Sequence, residues 1–251
     1  MKKTVIAIAL AAMAPLSANA DLLFTVGTKA SVWNAEAGGQ VDDTISVEDD
    51  GLNIDSEKGM QLTVFFEHPV PVLPNFKIKQ TNLDMSGSGS LNVTFLDQSF
   101  DEDVDSTMDL SHTDFTMYWG LPLPIPFVDI DFGLTARKFD GVVEAVSKDD
   151  PDTRASEDLD ATLPMGYGAI NVTTPFGLYA SADINYISLD GNKLSDVSYA
   201  IGYDLPIPVV DLGIEGGYRS MNLKTDEDSI DLETDVDVSG AFVGASLSVG
   251  F

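Results

Sequence analysis

Ala241-Phe242-Val243-Gly244-Ala245-Ser246-Leu247-Ser248-Val249-Gly250-Phe251 ends the chain, and its reading decides the fold. Val243, Ala245, Leu247, Val249 and Phe251 share one face of an extended strand, while Gly244, Ser246, Ser248 and Gly250 share the other. A greasy face backed by a small, polar one suits a strand with hydrocarbon on one side and a crowded interior on the other. The alternation recurs upstream. Val128, Ile130, Phe132, Leu134 and Ala136 stand against Asp129, Asp131, Gly133, Thr135 and Arg137. Val210, Leu212, Ile214 and Tyr218 stand against Asp211, Glu215 and Arg219, and Met60, Leu62, Val64 and Phe66 against Gln61, Thr63 and Glu67. A basic residue on the greasy face at mid-membrane depth would cost about 2–4 kcal/mol, so such sorting is strongly enforced.

Proline punctuates this pattern. Pro69, Pro71 and Pro74, then Pro122, Pro124 and Pro126, then Pro175, then Pro206 and Pro208 mark four short connections, because proline cannot donate to a ladder. Connections of the opposite kind lie between them: Asn34 to Glu57, Asp97 to Asp109, Asp140 to Asp160 and Asp226 to Asp237 hold 29 of the 41 carboxylates. Brief turns alternating with long acidic loops predict an all-β fold, an up-and-down antiparallel transmembrane β-barrel. Its ten strands are expected near Leu22–Trp33, Lys58–His68, Phe76–Met85, Leu110–Leu121, Val128–Phe139, Leu159–Thr174, Phe176–Leu189, Leu194–Leu205, Val209–Leu223 and Val238–Phe251. The third fits least, since its outward face would carry Gln80, Asn82 and Asp84, while Leu91, Val93 and Phe95 would extend its hairpin above the membrane. Eight strands is therefore the alternative, and a secreted acidic β-sandwich the non-membrane rival.

The other end and the composition agree. Met1-Lys2-Lys3, an apolar core from Val5 to Met13, and Ser17-Ala18-Asn19-Ala20 have the form of a signal peptide over residues 1–20, leaving 21–251 as one barrel domain. The apolar stretch is too short for the roughly 20 residues of a spanning helix. With no cysteine, disulfides, thiolate nucleophiles and cysteine-bound metals are excluded. A balance of 13 basic to 41 acidic residues, net −28, repels nucleic acid. Trp119, Phe127, Tyr203 and Phe251 near strand ends read as an interfacial girdle.

The export signal, the acidic loops, the Leu-Pro-Ile-Pro turns and the final Val-Gly-Phe together resemble a family of small gamma-proteobacterial outer-membrane β-barrel proteins. The resemblance spans residues 21–251 and is architectural. It implies the fold, a place in the Gram-negative outer membrane among its lipids, and recognition by the barrel assembly machinery through the C-terminal strand, with Phe251 as assembly signal. It implies no established activity and supplies no catalytic residues.

The chemistry that remains is in the interior charges. Lys29, Glu67, Lys77, Lys79, Asp129, Asp131, Arg137, Asp183, Asp204, Asp211, Glu215 and Arg219 are expected to point into the lumen. Barrels this narrow are filled by side chains, and buried charges must pair, so a salt-bridge plug is expected. Were the lumen open, its excess of carboxylates would make a narrow, cation-preferring pore. Glu215 and Arg219 lie too far apart along one strand to pair, so partners must come from neighbouring strands.

His112, just past an acidic loop and near Asp109 and Asp114, is the candidate base of a rim-active, protease-like hydrolase in which a His–Asp dyad activates water. The spacing matches no such motif, and Ser111 faces away as a nucleophile. His68, before Pro69, reads as structural. Asp101, Asp103 and Asp105 start like a calcium loop, but Ser106 replaces its glycine and His112 stands where a bidentate Glu is needed; Glu48-Asp49-Asp50-Gly51 fits no better. Weak divalent-cation condensation on the loops is expected, but no defined metal site and no cofactor. Gly87-Ser88-Gly89-Ser90 lacks the context of a phosphate cradle. The expectation is a non-enzymatic structural or surface-interaction protein, possessing at most narrow passive permeation. The alternatives are the hydrolase at His112 and an adhesin or receptor acting through the acidic loops.

Overall fold

Period-2 alternation becomes strand almost everywhere. The computed structural model describes residues 24–41, 45–48, 51–70, 72–95, 98–122, 124–189, 191–205, 207, 210–225 and 234–251. The signal-peptide reading of 1–20, the Asp49-Asp50 pair and most of the last acidic loop lie outside the described residues. Ten long strands form the wall: β1 (Thr25–Val41), β3 (Glu57–Glu67), β4 (Asn75–Asn82), β7 (His112–Gly120), β8 (Val128–Phe139), β11 (Thr162–Thr173), β12 (Leu178–Leu189), β13 (Asn192–Leu205), β14 (Asp211–Thr225) and β15 (Thr234–Gly250). Each pairs antiparallel with the next, and β15 returns to β1, from Thr25↔Gly250 to Val41↔Thr234. Reciprocal 2.9 Å backbone bonds between Phe24 and Phe251 complete the seam, so the wall has no free edge. The chain is thus a closed ten-stranded barrel, and the eight-stranded alternative falls.

The pairing fixes the size of the cylinder. From Val26 the register runs through Phe66, Phe76, Met117, Leu134, Gly166, Tyr186, Ser195, Asn222 and Asp237 back to β1 at Gly38, twelve residues further along. Ten strands about 4.8 Å apart and tilted about 40° enclose a backbone cylinder about 20 Å across.

Short turns join the strands at the end that carries both termini. At one of them Gly177 has φ +88, and an added Cβ would lie 2.5 Å from the Asp204 carbonyl oxygen, so only glycine fits there. His68 serves another turn. Its Nδ1 accepts the Val70 amide at 3.2 Å, and its Nε2 lies 3.1 Å from the Pro74 carbonyl.

The opposite end departs from expectation. Among the described residues, the segments read as long acidic loops are largely strand. β5 (Asp84–Phe95), β6 (Gln98–Asp109), β9 (Gly141–Ser147) and β10 (Arg154–Leu159) make a second, four-stranded sheet, ordered β10-β9-β6-β5. They continue β4, β7, β8 and β11 respectively, in the same lateral order. The breaks fall together, at Leu83, Leu110–Ser111, Asp140 and Asp160–Ala161. Hydrogen bonds stitch across them, including Leu110 N to Leu83 O at 2.8 Å and Asp140 N to Ser111 O at 3.0 Å. Four wall strands therefore bend over the mouth as a head. β2 (Ile45–Ser46) folds back on β1, and an Ile54↔Gly87 bridge fastens the chain after it to β5.

The apolar core lies inside this head, not in the cylinder below. Trp33, Val41, Ile45, Leu52, Met85, Phe95, Phe100, Val104, Met108, Val143, Val236 and Val238 are all buried there. Along β6, buried Phe100, Val104 and Met108 alternate with outward Asp101, Asp103 and Asp105. The carboxylates that suggested a solvated loop are the outer face of a strand.

A filled lumen above a blind cavity

Three storeys follow one another down the inside of the barrel: the apolar core of the head, an ionic layer, and a polar cavity. The ionic layer is built where interior positions of β4, β7, β8, β13 and β14 converge. Arg137 and Arg219 are fully buried, at 0% exposure. Arg137 grips Asp114 of the adjacent strand through two bonds, Nε–Oδ1 at 2.7 Å and Nη2–Oδ2 at 2.8 Å, and reaches across the lumen to Asp196. Arg219 holds Asp196 in the same forked way, at 2.8 and 2.7 Å, and donates to Thr81 Oγ1 at 3.1 Å. Trp33 lies over the Arg219 guanidinium, 4.7 Å from ring to carbon, and binds the Gly240 carbonyl at 3.2 Å. Two guanidinium groups balance two carboxylates, with bidentate geometry that lets a buried charge cluster persist.

His112 belongs to this layer. Its Nε2 lies 3.0 Å from Arg219 Nη2, and its Nδ1 lies 2.7 Å from the Leu110 carbonyl. A guanidinium can only donate, so Nε2 accepts and Nδ1 donates. Both nitrogens are engaged and the ring is 2% exposed, so His112 is not at the rim as the hydrolase reading required. His112, Asp114 and Asp196 bring ligand atoms within 4.8 Å of one another, a spacing that could hold a metal ion. The two arginines already supply the cations there, so the donor set does not fit a metal. Asp101, Asp103 and Asp105 project along a straight strand, with Asp101 bound by Asn92 at 2.8 Å and Asp105 by Ser88 at 2.7 Å. Such an arrangement cannot converge on one calcium ion.

Below the ionic layer the lumen opens into a cavity of about 410 Å³, whose lining reaches the strand ends at the terminus-bearing side. Nine of the residues expected in the lumen line it: Lys29, Glu67, Lys77, Lys79, Asp131, Asp183, Asp204, Asp211 and Glu215. Arg137 and Arg219 sit above it in the ionic layer. Asp129 is corrected: the second residue of β8, it has the same parity as Asp131 but is exposed at the open end of the barrel and is not part of the lining. Partners do come from other strands. Lys29 pairs with Glu215 at 3.0 Å, and Glu215 also accepts the Tyr179 hydroxyl at 2.8 Å. Lys77 donates to the Tyr167 hydroxyl at 2.8 Å and lies 4.1 Å from that ring's centre, while Tyr118 donates to Glu67 at 2.7 Å.

Asp114 and Asp196, central to the ionic layer, were missing from the expected set. The signal existed for Asp196, since the parity that turns Asp204 inward on β13 turns Asp196 inward too. Asp114 shares its face with Tyr118 on β7 in the same way.

No family model matches the chain, and no curated protein matches it significantly. Solved structures are similar in outline. They include the Neisserial surface protein A, 12% identical over 91% of this chain and 97% of that one, with a TM-score of 0.31. A Pseudomonas aeruginosa FadL homologue is 11% identical over 91% and 90%, with a TM-score of 0.33, and a mutant of the TodX monoaromatic hydrocarbon channel 8% over 92% and 91%, also at 0.33. At such identities and scores the likeness says nothing of ligand or activity.

Proposed function

We propose that the chain is a non-conducting outer-membrane barrel that carries a folded acidic head outside the cell, with a structural or surface-interaction role and no catalysis. The observation that carries this reading is an inversion of the greasy face. Around the cylinder, outward positions such as Val32, Leu62, Ile78, Met117, Leu134, Ile184, Ile201, Ile214 and Leu247 are exposed and apolar. Among the described residues, no charged side chain shares that band. It spans roughly the 9–11 residues per strand that a bilayer needs. Above the bend the greasy side is the inner one, as water on the outside would demand. The resemblance to the gamma-proteobacterial barrel family, recognition of Phe251 by the assembly machinery and export through a cleaved leader belong to the same reading. So does loose divalent-cation binding on the head.

The filled upper lumen weighs against cation-preferring permeation, and the burial of His112 weighs against hydrolysis at the rim. Planar-bilayer recording tests the proposal. The expected outcome is a silent membrane after insertion; discrete, cation-selective steps would overturn it. An adhesin or receptor role is compatible with the head, whose outer face is set with carboxylates. Its check is to replace Asp101, Asp103 and Asp105 by Ser, which should abolish any binding the head supports and leave the barrel intact.

A further inference from the structure

The cavity carries something that a mere structural filling would not require. Three lysines line it, and two are engaged, Lys29 by Glu215 and Lys77 by Tyr167. Lys79 makes no hydrogen bond or ion pair among the described residues, although it stands at the closed end directly beneath the ionic layer. Gln61, diagonal to Lys79 on the neighbouring strand, lines the same cavity and is 9% exposed, yet its amide nitrogen has no partner. Lys79 is half-buried, with its ammonium open to the cavity, whereas the Gln61 amide is a buried donor left unmet, which costs free energy and calls for an explanation.

The opposite wall supplies the complement. β4 and β12 are separated by β7, β8 and β11 along one path round the cylinder, so Lys79 and Asp183 face each other across it. Asp183 lines the cavity and accepts only the Ser198 hydroxyl, with no cation paired to it among the described residues. Both charges are thus on offer, held apart by a cylinder about 20 Å wide at the backbone. The volume of about 410 Å³ lies within the range of small-molecule sites, and Tyr118, Tyr167 and Tyr179 furnish its walls.

We infer that this cavity binds a small zwitterion, an amino-acid-like molecule whose carboxylate meets Lys79 and Gln61 and whose ammonium meets Asp183. An anion alone would face the surplus of carboxylates around it, namely Glu67, Asp131, Asp204 and Asp211. A cation alone would leave Lys79 and Gln61 unmet. A molecule bearing both charges satisfies each wall, and it enters from the end that carries the termini, since the ionic layer closes the other. The site is independent of whether the barrel conducts or which membrane holds it, so its test leaves the proposed function untouched.

Calorimetric titration of the protein in non-ionic detergent decides it, with 6-aminohexanoate as the zwitterion and hexanoate and hexylamine as its two halves. The expected result is saturable binding of 6-aminohexanoate, with each half at least tenfold weaker. Lys79→Met and Asp183→Asn should each weaken the zwitterion at least tenfold, and Lys79→Arg should keep affinity within threefold. Heat-shifted gel mobility checks that each variant is folded. Should Lys79→Met fail to fold, Lys79→Arg, Asp183→Asn and the three-probe comparison still decide. No saturable heat with 6-aminohexanoate overturns the inference. So does equal binding of hexylamine, or affinity indifferent to Lys79, either of which would reduce the site to a plain cation trap.

Discussion

The two ends of β15 obey opposite rules. Near the terminus, Val243, Ala245, Leu247 and Val249 face out and Ser246 and Ser248 face in; near its start, Asp235 and Asp237 face out and Val236 and Val238 face in. No break in the strand separates these stretches. β14 repeats the change, with Leu212 and Ile214 outward below, and Met221 inward above Arg219. Alternation alone makes a strand; which face is greasy records the solvent at that height. A cylinder packed in hydrocarbon and a head packed in water can therefore share the same continuous strands, with the ionic layer where the two regimes meet.

That contrast can be broken at its seam first. Asp196 neutralises two guanidinium groups, so Asp196→Ala strands buried positive charge and should lower stability by about 3–5 kcal/mol, near the upper end, in denaturant titrations of the micelle-bound protein. A loss under 1 kcal/mol would mean that the layer is hydrated. Next comes the head. Phe95 is fully buried in its core, and Phe95→Ala should cost about 3–5 kcal/mol, near the lower end if the cap collapses around the void. Protease should then cut the head, while heat-shifted mobility of the cylinder survives.

The third test sets the two rules side by side. Val243→Lys puts a charge in the apolar band and should cost about 2–4 kcal/mol, whereas Asp237→Lys on the same face of the same strand should change stability by about 0.5 kcal/mol or less. Equal costs would erase the distinction between the regions. The smallest effect concerns Asp84, at the start of β5. Burial, then the nearby Asp109 and Glu57, hold its carboxyl above the usual Asp range. The folded head therefore takes up that proton more readily than the unfolded chain. Its relative stability is greatest in acid and is lost as pH rises through the folded value. Asp84→Asn should accordingly gain a few tenths of a kcal/mol at pH 7, discounted for solvent screening, and nothing at pH 3.

Much of the cylinder was legible. Val128–Phe139 is a strand with the expected bounds, and the parity of β3, β8 and β14 assigned the outward face residue by residue. The head was hidden by its own charge. In Gln98–Asp109, acidic or polar residues occupy the alternate positions between Phe100, Val104 and Met108, and carboxylate density masked a period of two. In Gly141–Ser147, Val142 and Val146 make both faces apolar, so a short strand inside an acidic stretch shows no alternation at all. The contact from Arg137 to Asp196 spans the lumen, so it depends on the register summed over the three pairings from β8 through β11 and β12 to β13. No local pattern encodes that sum, whereas Arg137 with Asp114 on the adjacent strand obeys simple parity.

The most direct test is a nitroxide scan along β15 in bilayers, simplified because the chain has no native cysteine. Single labels at Val243 and Leu247 should be reached by oxygen from the lipid, and those at Asp235 and Asp237 by a water-soluble nickel chelate. A label at Val238 should be shielded from both, and one at Ser246 open to the polar reagent through the cavity. If Val243 and Asp237 instead respond alike, the greasy face does not change sides along the strand, and the division into a lipid-bathed cylinder and a water-bathed head is wrong.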